Sequence, residues 1–278
     1  MITAIIPYYN SGATIERAVS SLLKQKHLPE EILIINDGSD AINTAILKTV
    51  TKLSPLVNVV HQENKGLSGA RNTGILKSKG DYLLMLDADD TFETDFLEKA
   101  IPLIENDTTV GVVTCGVARI INGSLRYTYT PQKLTLRDCL IDNIVPACAL
   151  FSKKAILEVG MYDINFVYGY EDWDLNIRLL SAGYRFKVID VVLFNYYDTE
   201  GSLLKETKMK DLQLRKTLLT KYAKLYHLHL DIFIDEIDRQ RQNKNDEVQK
   251  VKRGLEYVIG FRMLQPLRFL KRMIKKST

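Results

Sequence analysis

The sequence predicts an α/β protein: a mostly parallel sheet with helices on both faces, followed by a helical C-terminal region. Three observations predict it. Short apolar runs alternate with segments whose apolar residues recur at helical spacing through the first 115 residues. The short runs are apolar throughout rather than at every second position, the pattern of strands buried on both sides. Polar clusters follow four of these runs, and an open parallel sheet gathers its ligand groups at the carboxyl ends of its strands.

The elements follow in order. Ile2–Pro7 reads as a buried strand. Ile15, Val19, Leu22 and Leu23 mark a helix, with Ser11, Gly12 and Thr14 as turn and cap residues before it. Ile32–Ile35 is a second strand, ending in Asn36-Asp37-Gly38-Ser39, and Ala41–Leu53 a helix. Val57–Val60 is a strand, Gly69–Ser78 a helix, Tyr82–Leu86 a strand, Phe96–Ile104 a helix and Val110–Thr114 a fifth strand. After residue 115 the alternation breaks. Val117–Ile121 and Leu125–Tyr129 flank Asn122-Gly123, a hairpin signal. Ala147–Phe151 and Val188–Tyr196 read as strands, and Glu171–Ala182 as a helix closed by Gly183. From about Leu203 the chain reads as helices, with a polar loop expected at Gln240–Asp246. The division this suggests is 1–202, with halves 1–115 and 116–202, and a helical region 203–278.

Composition narrows the function. Apolar residues make up 46% and charged residues 26%, a globular balance able to bury a core. The net charge of +4 is too small to argue for nucleic acid. Cys115, Cys139 and Cys148 have no metal or disulfide spacing and read as buried thiols in a reducing compartment. No secretory signal or long apolar span is evident, so the expected location is the cytoplasm or the inner face of its membrane. In the tail 261–276, Phe261, Leu264, Leu267, Phe269, Leu270, Met273 and Ile274 interleave with six basic residues. A basic amphipathic helix suits peripheral contact with an anionic membrane; packing on the main domain or at a homodimer contact is the alternative.

Four constellations carry chemistry. Asp87-Ala88-Asp89-Asp90 follows the strand Tyr82–Leu86, and three carboxylates in four residues repel unless solvated or met by a cation. Their oxygens suit Mg²⁺ or Mn²⁺ beside a diphosphate; a solvated turn capping the next helix is the plainer reading. Asp37 could take a nucleobase N–H, with Gly38 allowing close approach, or could close an Asx turn. In Asn64–Gly74, Gly66 and Gly69 open a helix whose amides and Arg71 could face an anion, or which is capped in the ordinary way. In Tyr170-Glu171-Asp172-Trp173-Asp174, a carboxylate could serve as a base and Trp173 could stack on a sugar. The competing reading is an acidic helix start favoured by the dipole, with Trp173 in the core. His27, His61, His227 and His229 lack companions at ligand spacing.

Together these segments resemble the family 2 inverting glycosyltransferases with the GT-A fold. The stretches that carry the resemblance are Ile5–Asn10, Asn36–Ser39, Glu63–Asn72, Leu86–Asp90 and Gly169–Leu175, in order over roughly residues 1–200. The resemblance implies that Pro7, Tyr9 and Asp37 contact uridine and that Arg71 lines the nucleotide pocket. It implies that Asp87 meets the ribose or metal region and that Asp89 is the metal ligand, with Asp90 assisting. It further implies that Asp172 is the general base, Glu171 its neighbour and Trp173 a residue near the acceptor. The donor would be a nucleotide sugar, a UDP-sugar first, and the acceptor a glycan or lipid-linked hydroxyl. One segment departs: the family's Tyr-Arg-x-His-x-x-Ser reads Tyr196-Tyr197-Asp198-Thr199-Glu200-Gly201-Ser202, with Tyr197 for the arginine and Thr199 for the histidine. That departure keeps open a catalytically impaired paralogue acting as an assembly partner. Nucleotidyl transfer is disfavoured, because Ile6–Gly12 has no Lys or Arg for a triphosphate.

Overall fold

The computed structural model describes residues 1–132, 134–198 and 203–253. Among the described residues nine strands form one sheet: β1 Ile2–Tyr8, β2 Glu31–Asp37, β3 Val57–Gln62, β4 Tyr82–Met85, β5 Thr91–Phe92, β6 Val110–Ile121, β7 Ser124–Tyr129, β8 Leu150–Ser152 and β9 Arg185–Asp198. The order is β3-β2-β1-β4-β8-β6-β9-β5, with β7 paired to β6. The β1/β2, β2/β3, β1/β4 and β6/β9 pairs are parallel. β8 runs antiparallel between β4 and β6, and β5 and β7 are antiparallel edges. Strand order reverses at β1, with β2 on one side and β4 on the other, so the polar ends of these strands flank the switch point where such sheets bind ligands.

The two-sided burial read from the apolar runs is visible residue by residue. All seven residues of β1 and of β2 are buried. On one face Ala4, Ile6, Ile32 and Ile34 meet Ile15, Val19 and Leu22 of α1 (Ile15–Leu23), Leu47 of α2 (Ala41–Val50) and Phe96 and Ala100 of α4 (Phe96–Glu105). On the other, Ile5, Leu33 and Ile35 meet Ala70 and Ile75 of α3 (Gly66–Lys77), Ile156 of α6 (Lys153–Glu158), and Leu175 and Leu179 of α7 (Glu171–Ser181). Each such Ile, Leu, Val or Phe side chain contributes roughly 1.5–3 kcal/mol by leaving water, which is why neither face tolerates a polar alternation. Gly74 lets α3 lie close: a Cβ there would stand 2.4 Å from Ile5.

Several elements differ from the sequence reading. Val110–Thr114 and Val117–Ile121 are one twelve-residue strand, bent by irregular pairing around Cys115–Val117 rather than broken. The strand expected at Ala147–Phe151 is Leu150–Ser152, because the chain before it serves as loop. The polar run Gln240–Asp246 is not a loop; it lies inside α10 (Leu230–Arg253), since Gln, Lys, Arg and Asp are compatible with an exposed helix. Asn122 and Gly123 both take positive φ, as the hairpin requires.

The chain divides into two compact units, Met1–Ala223 and Lys224–Thr278. The first includes α8 (Leu203–Lys221), bound to the segment before α7: Lys221 meets Asp163 and Asp174, Thr207 donates to the Tyr168 carbonyl, and Tyr170 Oη donates to Asp211. The second is helical through Arg253, and within it Tyr226 packs on Phe233. Among the described residues no helix is long and apolar enough to cross a membrane. The tail 261–276 and Thr199 lie outside the described residues.

Candidate active site

Asp87-Ala88-Asp89-Asp90 leaves the carboxyl end of β4, and Glu171-Asp172 opens α7, where the dipole favours negative charge. One side chain joins them. Arg71, on α3, is 1% exposed; its Nη2 donates to Asp87 Oδ1 at 2.8 Å and its Nη1 to Glu171 Oε1 at 2.6 Å. Burial works against the guanidinium charge, yet Asp87, Tyr162 and Glu171 hold it firmly protonated. Arg71, which the resemblance puts on the helix lining the nucleotide pocket, is thus bound to two carboxylates in the core.

Beside this bridge stands Asp172, half-buried in the first turn of α7. Its Oδ2 accepts from Asn143 Nδ2 at 2.8 Å and its Oδ1 from the amide of Trp173 at 2.8 Å. Burial raises the Asp172 pKa, while Arg71 and the two hydrogen bonds oppose the rise. Glu171 is raised as well, by burial and by the charge of Asp172. A carboxyl whose pKa is lifted toward neutrality is a better proton acceptor once ionised. Tyr170, before the pair, holds φ at 70°, a strained value for a tyrosine, with its ring on Trp173.

The acid turn itself is graded. Asp87 and Asp89 are half-buried, and Asp90 is 1% exposed. Burial, then Asp89 and Asp87, push Asp90 well above the ordinary carboxyl range. Asp90 Oδ1 accepts the Tyr197 amide at 2.8 Å, and Oδ2 lies 3.9 Å from Cys148 Sγ. Oxygens of Asp87 and Asp90 and the Cys148 sulfur fall within 4.8 Å of one another; Asp89, the ligand implied by the resemblance, is not in that group. Cys148 is a poor partner for a hard cation, because burial holds its thiol protonated and Mg²⁺ or Mn²⁺ prefers oxygen. The oxygens that stand together, and that suit such an ion, are those of Asp87 and Asp90. Around the buried Arg71 stand Asp87, Glu171 and Asp172, three carboxyl groups sharing one arginine.

The remaining sequence candidates are spread along the same rim. Pro7 is buried near the end of β1 and Tyr9, after it, is 55% exposed. Asp37 ends β2; its Oδ1 accepts from Gln62 Nε2 at 2.6 Å and from the Lys65 amide at 2.8 Å. Gly38 turns at φ 74°, with the Asn64 amide where a Cβ would stand. Trp173 is 2% exposed and gives its indole N–H to the Cys139 carbonyl at 2.5 Å. Its ring lies in the core, the placement that the sequence reading kept as the alternative to a residue near the acceptor. Asn143, Cys148 and Arg17 belong to the site but carried no motif, and Tyr197 stands in the segment that departs from the family's pattern. Asn143 lies in a loop whose nearness to α7 is purely tertiary.

The mixed sheet, the acid turn after β4 and the acidic start of α7 define a GT-A glycosyltransferase fold. It is shared with Staphylococcus aureus TarS solved with UDP-GlcNAc (TM-score 0.61, 19% identity, 73% of this chain and 60% of that one). A Pyrobaculum calidifontis mannosyltransferase, PcManGT, solved with GDP-Man and Mn²⁺, shares it equally (TM-score 0.60, 20% identity, 81% and 64%). The family model for glycosyl transferase family 2 matches residues 3–160, and the chain belongs to that family. A curated relative, the poly-beta-1,6-N-acetyl-D-glucosamine synthase of Staphylococcus aureus, is 32% identical over 197 residues, covering 67% of this chain and 47% of that protein. The uncharacterized glycosyltransferase EpsJ of Bacillus subtilis is 34% identical over 134 residues, covering 48% and 38%. The chain thus spans less than half the length of these curated relatives.

Proposed function

We propose that this chain transfers a sugar, with inversion, from a UDP-sugar to a hydroxyl of a glycan or lipid-linked acceptor, with Asp172 as general base. The observation that carries the reading is the placement of Asp172. It is a half-buried carboxylate of raised pKa, fixed by Asn143 and by its own helix, beside the Arg71 bridge that leads to the acid turn. That geometry suits a base that takes the acceptor proton while the donor diphosphate is held at the turn. Asp87 and Asp90 would hold a divalent ion, Mn²⁺ or Mg²⁺, which when bound offsets negative charge on the departing diphosphate. Asp37, at the end of β2, would take the uracil N–H, with Tyr9 alongside and Pro7 beneath. Glu171 would keep Arg71 in place.

UDP-GlcNAc is the first donor to test, because one relative is named for poly-N-acetylglucosamine and one structural neighbour was solved with that sugar nucleotide. The same relative supports a role in polysaccharide synthesis. The basic tail 261–276 would bring the enzyme to a membrane carrying lipid-linked acceptors. The test is Asp172→Asn assayed with UDP-GlcNAc, Mn²⁺ and an acceptor panel. Loss of a positioned base lowers turnover by about 10²–10⁴-fold, with UDP affinity unchanged in calorimetry. Undiminished turnover removes Asp172 from the role.

A further inference from the structure

Among the described residues two arginines touch the acid turn, and they differ in what they have left to offer. Arg71 is buried and bound to two carboxylates. Arg17, on α1, is exposed: Ile15, Ala18 and Val19 face the core and leave it at the rim. Its Nη2 donates to the backbone carbonyl of Asp89 at 2.6 Å. Its guanidinium lies over the Tyr197 ring, 3.7 Å from the centroid. Tyr197 is itself tied to the turn through its amide and Asp90 Oδ1. Among the described residues no carboxylate stands within ion-pair distance of Arg17, although its charge reaches Asp90. The position is fixed by a carbonyl and an aromatic face, neither of which neutralises the cation. The guanidinium has five N–H donors in a planar fork, and a single one serves Asp89.

We propose that Arg17 is a binding residue for the diphosphate of the donor. This rests on the reading above that the acid turn receives a sugar nucleotide. A rim of carboxylates repels phosphate, so an anionic ligand there needs positive charge from the protein as well as from any ion. Arg17 is a pre-positioned fork suited to phosphate oxygens, and holding it on Tyr197 before the ligand arrives reduces the ordering cost on binding. A purely structural reading makes Arg17 a staple between α1 and β9. The two readings differ in what the ligand must carry, since a staple does not distinguish a nucleoside from its diphosphate.

The experiment titrates the full chain with UDP and, separately, with uridine, at constant Mn²⁺, for wild type, Arg17→Ala and Arg17→Lys. The expected result is that Arg17→Ala weakens UDP about tenfold, leaves uridine unchanged and unfolds at the wild-type temperature, while Arg17→Lys recovers part of the loss. Equal UDP affinity in Arg17→Ala and wild type overturns the inference alone. So does an equal loss for UDP and uridine, which marks a disturbed fold. A wild-type chain that binds neither compound overturns the transferase reading together with this inference.

Discussion

The two sides of the acid turn use the same residue type for opposite ends. On the core side, Arg71 is sealed between Asp87 and Glu171 and ties β4 to α7. On the solvent side, Arg17 rests on a carbonyl and a ring, with no carboxylate among the described residues at ion-pair distance. Burial decides the difference. A charge removed from water has to be matched within the protein, whereas a charge left at the surface can wait for a ligand. The contrast teaches that the buried arginine is architecture for the site and the exposed one a means of reading what enters it.

The largest expected effect breaks the core side. Arg71→Met leaves Glu171 and Asp87 unpaired and costs about 3–5 kcal/mol in denaturant unfolding, whereas Arg17→Ala costs under about 0.5 kcal/mol. Comparable losses would erase the contrast. The loss has a pH signature. Asp90, Glu171 and Asp172 have raised pKa values, so between the ordinary carboxyl range and those values the folded state holds more protons than the unfolded chain. Stability of the metal-free protein therefore falls as pH rises through that window, and more steeply once Arg71 is gone.

A smaller effect sharpens the comparison at Asp172. Asn143→Ala removes a hydrogen bond to the carboxylate form, so the Asp172 pKa rises further. The acid limb of the pH–rate profile should then move to higher pH, lowering turnover near neutrality. A limb that stays in place separates Asn143, or Asp172 itself, from the titrating step. The smallest effect concerns Trp173. Replacement by Phe removes the indole bond to Cys139 and should cost about 1 kcal/mol with acceptor KM unchanged; a raised KM would return Trp173 to the acceptor.

Much of this was legible in local pattern. The doubly buried strands followed from Ile2–Pro7 and Ile32–Ile35, and the acid turn and the α7 start followed from their positions after a strand and before a helix. The hairpin followed from Asn122-Gly123. What local pattern missed are elements whose register depends on neighbours. The continuity of β6 through Cys115–Val117 is imposed by β9, and the helicity of Gln240–Asp246 by a long exposed helix. The fate of Arg71 was hidden for a similar reason. A basic residue after a glycine-rich helix start reads as an anion site until Glu171, one hundred residues later, is found against it.

The amino-acid sequence by itself determined the alternation of strands and helices, the family, and the carboxylates that gather at the strand ends, because periodicity and short motifs are local properties of a chain. The tertiary structure decided which charges are spent on one another and which face outward: Arg71 bound in the core, Trp173 turned inward, Asn143 brought to Asp172 and Arg17 left at the rim. Those outcomes depend on burial and on partners distant in sequence, and no stretch of residues encodes either alone.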